Sequence, residues 1–254
     1  MELTVTQFLI ICPLLLLTGF VDAIAGGGGL ISLPAFLLAG LPFHNAIATN
    51  KLAAAAGTTL ATGRYIRAGL VNWRLALPTV AAAMAGSFFG ARASLAMDES
   101  VMEKLLLVVL PIAAVVVLNP RTFRDEAEEK IRLSKTVWIT AIVSALTVGF
   151  YDGFYGPGTG TFLIIAFTAA AKLSLRHANA HAKVINLTTN LTSLGVFLAS
   201  GQVIWLLGLA GAVCSMTGSW LGSGLAMKRG SAVTRPVILV VLALLVLKIT
   251  GILG

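Results

Sequence analysis

The chain reads as an all-α polytopic membrane protein made of two inverted-topology repeats. Each repeat is a glycine-broken re-entrant or spanning helix hairpin plus three transmembrane helices. Three observations predict this class. Of 254 residues, 57% are hydrophobic and 11% charged, against roughly 25% charged in soluble domains, and the mean hydropathy is +0.94. The apolar residues form long runs without the alternation of barrel strands, which leaves a helical bundle as the way to satisfy the backbone in lipid. Finally, one carboxylate followed by a glycine break occurs twice inside apolar sequence.

Charge and cysteine content narrow the class. The net charge of +8 is spread between apolar segments rather than gathered in a patch. That pattern sets orientation in a bilayer and argues against nucleic acid as a partner. Cys12 and Cys214 lie in apolar runs without C-x-x-C or metal-type spacing. They are expected to pack as small apolar groups, with no disulfide, no metal and no cofactor. Ala23-Ile24-Ala25 resembles a signal-peptide cleavage site. Met1 to Gln7 contains no Lys or Arg, however, and the same segment recurs in mid-chain, so the stretch is expected to remain as a membrane segment.

The first apolar segment runs from about Thr6 to Gly40. It is too long for one upright span, and the glycines divide it: Thr6 to Ile24 is long enough to cross or nearly cross, while Gly29 to Leu38 is not. A hairpin with the glycine run at its tip follows. Three further segments run from His44 to Gly63, Leu75 to Leu95 and Val101 to Leu118. The second half repeats the order with Val137 to Ala171, Arg176 to Ala199, Leu206 to Met227 and Val233 to Leu253. The predicted organisation is a first repeat over 1–118, a charged cytoplasmic linker over 119–135 and a second repeat over 136–254.

The repeat is visible residue by residue. Gly19, Phe20, Asp22, Gly26 and Gly28 recur as Gly149, Phe150, Asp152, Gly156 and Gly158. Further along, Lys51, Gly69, Trp73, Gly86 and Gly90 match Lys183, Gly201, Trp205, Gly218 and Gly222. Pairs so distributed point to internal duplication.

The basic residues then choose the orientation. If each glycine-broken segment crosses once, the copies are parallel and Lys172, Arg176, Lys228, Arg229 and Arg235 fall outside. If each is a hairpin, the copies invert, and 13 of the 18 cations are cytoplasmic. The inverted arrangement puts both termini outside and sets two broken helices against each other near the midplane.

A glycine break within a membrane frees backbone groups, which is tolerable where they meet protein, water or a ligand. Helix N-termini starting near Gly29 and Gly160 carry free N–H groups and partial positive charge, suited to an anion. Candidate substrate-binding residues are Gly26, Gly27, Gly28, Gly29, Gly156, Gly158, Thr159 and Gly160 at the tips. Lys51 and Lys183 would supply charge, and Asn50, Asn186 and Asn190 hydrogen bonds. Nearby Thr49, Thr58, Thr59, Thr188, Thr189 and Thr192 add to a polar-lined path, or bond neighbouring helices. Asp22 and Asp152 sit where a charge costs about 2.5–3.5 kcal/mol on insertion scales. They either carry protons or hold the tips, by capping the next half-helix or by pairing with a lysine. His44, His177 and His181 read as interfacial groups, and Trp73 and Trp205 as interface anchors.

The two Asp-glycine motifs, Asp22 to Gly29 and Asp152 to Gly160, together with Ala48-Thr49-Asn50-Lys51, resemble the TauE/SafE family of membrane transporters over nearly the whole chain. That resemblance implies a multi-pass protein of the bacterial or archaeal inner membrane, moving a small anion such as sulfite or an organosulfonate. The second copy departs from the first at Pro157 in place of Gly27 and at His181-Ala182 in place of Thr49-Asn50. The reading is therefore a secondary anion transporter working by alternating access, with proton coupling open to Asp22 and Asp152, and not an enzyme. A passive anion channel uses the same dipoles and lysines. An intramembrane aspartyl protease would need a Gly-x-Gly-Asp partner for Tyr151-Asp152, and none occurs. ATP-driven transport would need a phosphate-binding G-x-x-x-x-G-K-[ST], also absent.

Overall fold

The structure is a computed structural model that describes residues 3–102, 104–105 and 133–229. Among these, all regular structure is helical. In chain order the helices are α1 (Val5–Ala25), α2 (Gly29–Leu38), α3 (Phe43–Arg67), α4 (Trp73–Leu95), α5 (Lys135–Phe154), α6 (Thr159–Ala169), α7 (Leu175–Ala199) and α8 (Trp205–Arg229). The glycines divide the first segment where the sequence predicts, and α2 and α6 have 10 and 11 residues, too short to span. The predicted segments 101–118 beyond residue 105 and 233–253, and the linker up to residue 132, lie outside the described residues.

Local signals explain the helix ends. At the start of α1 a capping box joins Thr4 and Gln7, with Thr4 N–H donating to Gln7 Oε1 at 3.0 Å. Asn72 and Ser134 cap α4 and α5 by accepting from Arg74 N at 3.1 Å and Val137 N at 3.3 Å. Trp73 and Trp205, at the first positions of α4 and α8, are half exposed.

Among the described residues four helices, α1, α4, α5 and α8, are long and apolar enough to cross a membrane. Helices α3 and α7 have 25 residues each, and they differ from the expected apolar spans because Asn, Thr and Lys interrupt them. Their position explains how this is tolerated. The exposed large apolar side chains lie mainly on the four apolar helices, Leu9, Phe89, Ile139 and Val213 among them, whereas α3 contributes none and α7 only Leu191. The polar pair is thus the inner layer, and the apolar helices turn their hydrophobic faces outward.

Residue contacts fix the directions. Gly86 and Gly90 lie against Leu146 and Phe150, and Gly218 and Gly222 against Leu16 and Phe20, so α4 runs with α5 and α8 runs with α1. Thr49 meets Ile204 and Arg64 meets Trp220, so α3 runs with α8. Thr62 meets Lys183 while Lys51 meets Asn190, so α3 and α7 are antiparallel. One end of the bundle, where α3 and α8 stop and α4, α5 and α7 start, therefore carries Arg64, Arg67, Arg74, Lys135, Lys172, Arg176 and Lys228. Arg92 and Lys104 belong to the opposite end.

Matched positions make matched contacts. Asn45 Nδ2 donates to Gln202 O at 2.8 Å, and His177 Nδ1 lies 2.9 Å from Leu70 O. Ile204 N–H donates to Thr49 Oγ1 at 3.1 Å, and Asn72 N–H to His181 Nε2 at 3.2 Å. His181 thus does the work of Thr49 in the other half, accepting a loop amide beside a helix start. His44 is held by Ser94 O at 2.9 Å and Glu99 at 3.4 Å. Cys12 and Cys214 are free, partly buried and adjacent across α1 and α8.

Small residues let the helices approach: a Cβ at Gly86 would run into Leu146 O, and one at Gly218 into Leu16 O. Gly86→Val and Gly218→Val should each cost about 1–3 kcal/mol through overpacking. Gly63 on α3 faces open space, so Gly63→Ala should stabilise, by up to about 1 kcal/mol. Thermal unfolding of the detergent-purified variants measures both signs.

Candidate functional site

The two hairpin tips meet inside the bundle. Helix α1 ends where Gly26 takes φ +74°, a left-handed conformation that suits glycine, and its N–H donates to Asp22 O at 2.8 Å. Helix α5 ends likewise before Gly156, at φ +99°. The breaks touch: a side chain at Gly26 would collide with the Gly160 backbone, and one at Gly29 would press on Pro157. Helices α2 and α6 start here, and most of their first-turn N–H groups are answered locally, Leu30 donating to Gly27 O, Ile31 and Ser32 to Gly28 O, and Thr159 to Gly156 O.

Each break also closes the C-terminal end of a long helix, where orphan carbonyls and partial negative charge collect. An aspartate adds to that negative charge in both. In both, a lysine from the other half of the chain answers it. Lys183 on α7 donates to Asp22 O and to Asp22 Oδ2, the latter at 2.7 Å. Lys51 on α3 donates to Asp152 O at 2.6 Å and pairs with Asp152 Oδ2 at 2.8 Å. Lys51 is 2% exposed and Lys183 0%, so neither reaches an interface. Each ammonium charge is matched by a carboxylate, and the pairs are neutral as units rather than a free positive field.

The second tip has further braces. Thr159 Oγ1 donates to Asp152 Oδ1 at 2.7 Å, and Tyr151 Oη to Pro157 O at 2.6 Å. Lys51 also donates to Asn190 Oδ1 at 3.2 Å, and Asn190 Nδ2 to Asn186 Oδ1 at 3.1 Å.

Between the tips lies a small polar cavity of about 30 Å³. Of the residues predicted from sequence, Asp22, Gly26, Gly29, Asn50, Lys51, Asp152, Gly156, Thr159, Asn186 and Asn190 line it. Gly27, Gly28, Gly158, Gly160 and Lys183 are not part of its wall. Thr58 lines it too, although its hydroxyl, like those of Thr59, Thr188, Thr189 and Thr192, donates to its own helix backbone. The sequence reading missed Thr18, Ser32 and Ser215. Thr18 carried a usable signal, since it stands one turn before Asp22 on the same helix face. Thr18 Oγ1 and Asn50 Oδ1 are buried without a protein partner, unusual for buried polar atoms.

A polar cavity enclosed by lipid-facing helices and walled by two broken helices defines a membrane transport protein. By comparison with known proteins the chain belongs to the sulfite exporter TauE/SafE family, whose model matches residues 11–249. It is 34% identical over 255 residues to "Probable membrane transporter protein YfcA" of Escherichia coli (strain K12), covering 97% of this chain and 93% of that one. It is 35% identical over 226 residues to "Probable membrane transporter protein ORF9" of Sinorhizobium sp, covering 89% and 85%. It is 36% identical over 222 residues to a "Probable membrane transporter protein" of Haemophilus influenzae, covering 87% and 86%. The family is one of transporters, not enzymes. No solved structure matches the chain.

Removing one partner of a buried ion pair costs about 3–5 kcal/mol, because the other charge stays behind, while replacing both by apolar groups is far less costly. Lys51→Met and Asp152→Leu should each destabilise strongly, and the double variant should be more stable than either. The apparent melting temperature in detergent reads this cycle.

Proposed function

We propose that the protein is a secondary transporter of a small anion, working by alternating access around the cavity between its two tips. The observation that carries this reading is the meeting of Gly26 and Gly160 beside a cavity walled by both halves. The halves, 1–118 and 136–254 joined by the 119–135 linker, are read as inverted-topology repeats. The antiparallel course of the equivalent helices α3 and α7 supports this, as do the matched contacts of Thr49 and His181. The basic end of the bundle is the cytoplasmic one by the positive-inside tendency, which leaves both termini outside a bacterial-type inner membrane.

In this reading the anion is held by the Gly29 amide at the start of α2, by the Thr18 hydroxyl and by the side-chain amides of Asn50, Asn186 and Asn190. Sulfite, which the description of the family names, or an organosulfonate of like charge is the substrate proposed. A rocking motion about the tips would expose the cavity to each side in turn.

Binding to the native state alone raises stability, by about 2.7 kcal/mol when ligand is at 100 times its Kd. A panel of sulfite, sulfate, thiosulfate, sulfoacetate, taurine and carboxylates should contain an anion that raises the melting temperature. Thr18→Val and Asn50→Ala should lose that rise. In sealed vesicles, uptake of labelled sulfite should saturate and accelerate with unlabelled anion inside. Flux that neither saturates nor responds to internal anion would replace the carrier by a channel.

A further inference from the structure

The two ion pairs occupy matched positions but are not built alike. We propose that they divide the work: Asp22 is the exchangeable carboxylate, releasing Lys183 when it takes a proton, while Asp152 is a fixed strut. The proposal rests on the anion-transport reading for its coupling step, though not for the assignment of Asp22.

Asp152 is the more enclosed and more heavily braced of the two, although its Oδ2 meets Lys51 as an ion pair and not as an aligned hydrogen bond. Its carboxylate is bonded at one oxygen by Thr159 and paired at the other with Lys51, and both partners of that pair are 3% exposed. Lys51 is in turn held by Asn190, which is held by Asn186. The tip itself is stiffened by Pro157, whose carbonyl is clamped by Tyr151.

The first tip lacks each of these. Gly29 stands in place of Thr159, Thr58 in place of Asn190, Gly27 in place of Pro157 and Val21 in place of Tyr151. Asp22 meets Lys183 through Oδ2, its side chain is 15% exposed, and it lines the cavity. Lys183 is 0% exposed behind it. The buried ammonium therefore reaches the cavity only where Asp22 now sits. Beside that position are Thr18 and Asn50, each with a buried oxygen that has no protein partner.

The charged and titratable groups around Asp22 are few. Helix α7 presents Lys183, and α3 presents Lys51 across the cavity and Tyr65, whose hydroxyl donates to Ala23 O at 3.1 Å. Helix α5 presents Asp152 on the opposite wall. Helices α2 and α6 contain no charged residue, and α8 has its charges only at its last residues.

The balance is simple. A proton from the aqueous side adds to an Asp22 carboxylate oxygen, Lys183 stays an ammonium, and a bound monoanion replaces the carboxylate as its counterion. Proton and anion then cross together without net charge, and both leave before Asp22 and Lys183 pair again.

Difference infrared spectroscopy of the full chain in nanodiscs, taken as pH is lowered, tests this through the carbonyl stretch of a protonated carboxyl group. The band should vanish in Asp22→Asn and persist in Asp152→Asn. Where Asp22→Asn fails to fold, Asp22→Glu should move the band to the glutamic acid frequency. Adding methanesulfonate, a monoanion without a carboxyl group, near neutral pH should strengthen the band, with about one proton taken up per anion bound. A band that survives in Asp22→Asn or is lost in Asp152→Asn would overturn the proposal, as would no band before unfolding. An Asp22 band that no anion alters would keep the assignment and remove the anion reading. Anion binding without any such band would do the reverse.

Discussion

Breaking a helix inside a bilayer leaves carbonyl oxygens and a negative helix end without water to answer them, and here both breaks are closed by an ammonium from the opposite half. Lys183 seals the end of α1 and Lys51 the end of α5, each bonding a backbone carbonyl and a carboxylate of the same aspartate. A cation at a helix C-terminus is favourable and an acid there is not, so each Asp–Lys unit stands only as a pair. Neither hairpin is completed by its own half. The crossing of the lysines makes the two tips depend on one another and fixes where the cavity lies.

The surrounding architecture follows from that constraint. Polar groups needed at the tips must ride on α3 and α7, which are then too polar to face lipid and are enclosed by α1, α4, α5 and α8. Close enclosure needs glycines at the contacts, and Gly86, Gly90, Gly218 and Gly222 supply them on the parallel pairs. Where one half replaces Thr49 by His181, the loop amide is still satisfied. The substitution changes the acceptor and keeps the bond.

Much of this was legible in the sequence because glycine breaks and apolar length act locally. The bounds of α2, the division at Gly26 and the pairing of equivalent residues follow from composition and spacing alone. What was not legible depends on folding in three dimensions. Lys51 and Lys183 read as ligand charges or as partners of the aspartates, and only the packing of α3 beside α7 sends each to the other half's tip. Ser32 and Ser215 look like ordinary small residues until α2 and α8 bring them to the cavity. The unequal bracing of Asp22 and Asp152 rests on side chains such as Tyr151 and Asn190; the sequence marks Asn190 as a candidate substrate-binding residue and gives neither a bracing role.

The central claim is that the substrate site lies where the two tips meet, between pairs that cross from one half to the other. An experimental structure in a lipid nanodisc, with the anion that most raises the melting temperature, tests it most directly. The account predicts anion density between the first turn of α2, Thr18 and Asn50, with Lys51 still on Asp152. Density elsewhere, or lysines paired with the aspartate of their own half, would contradict it.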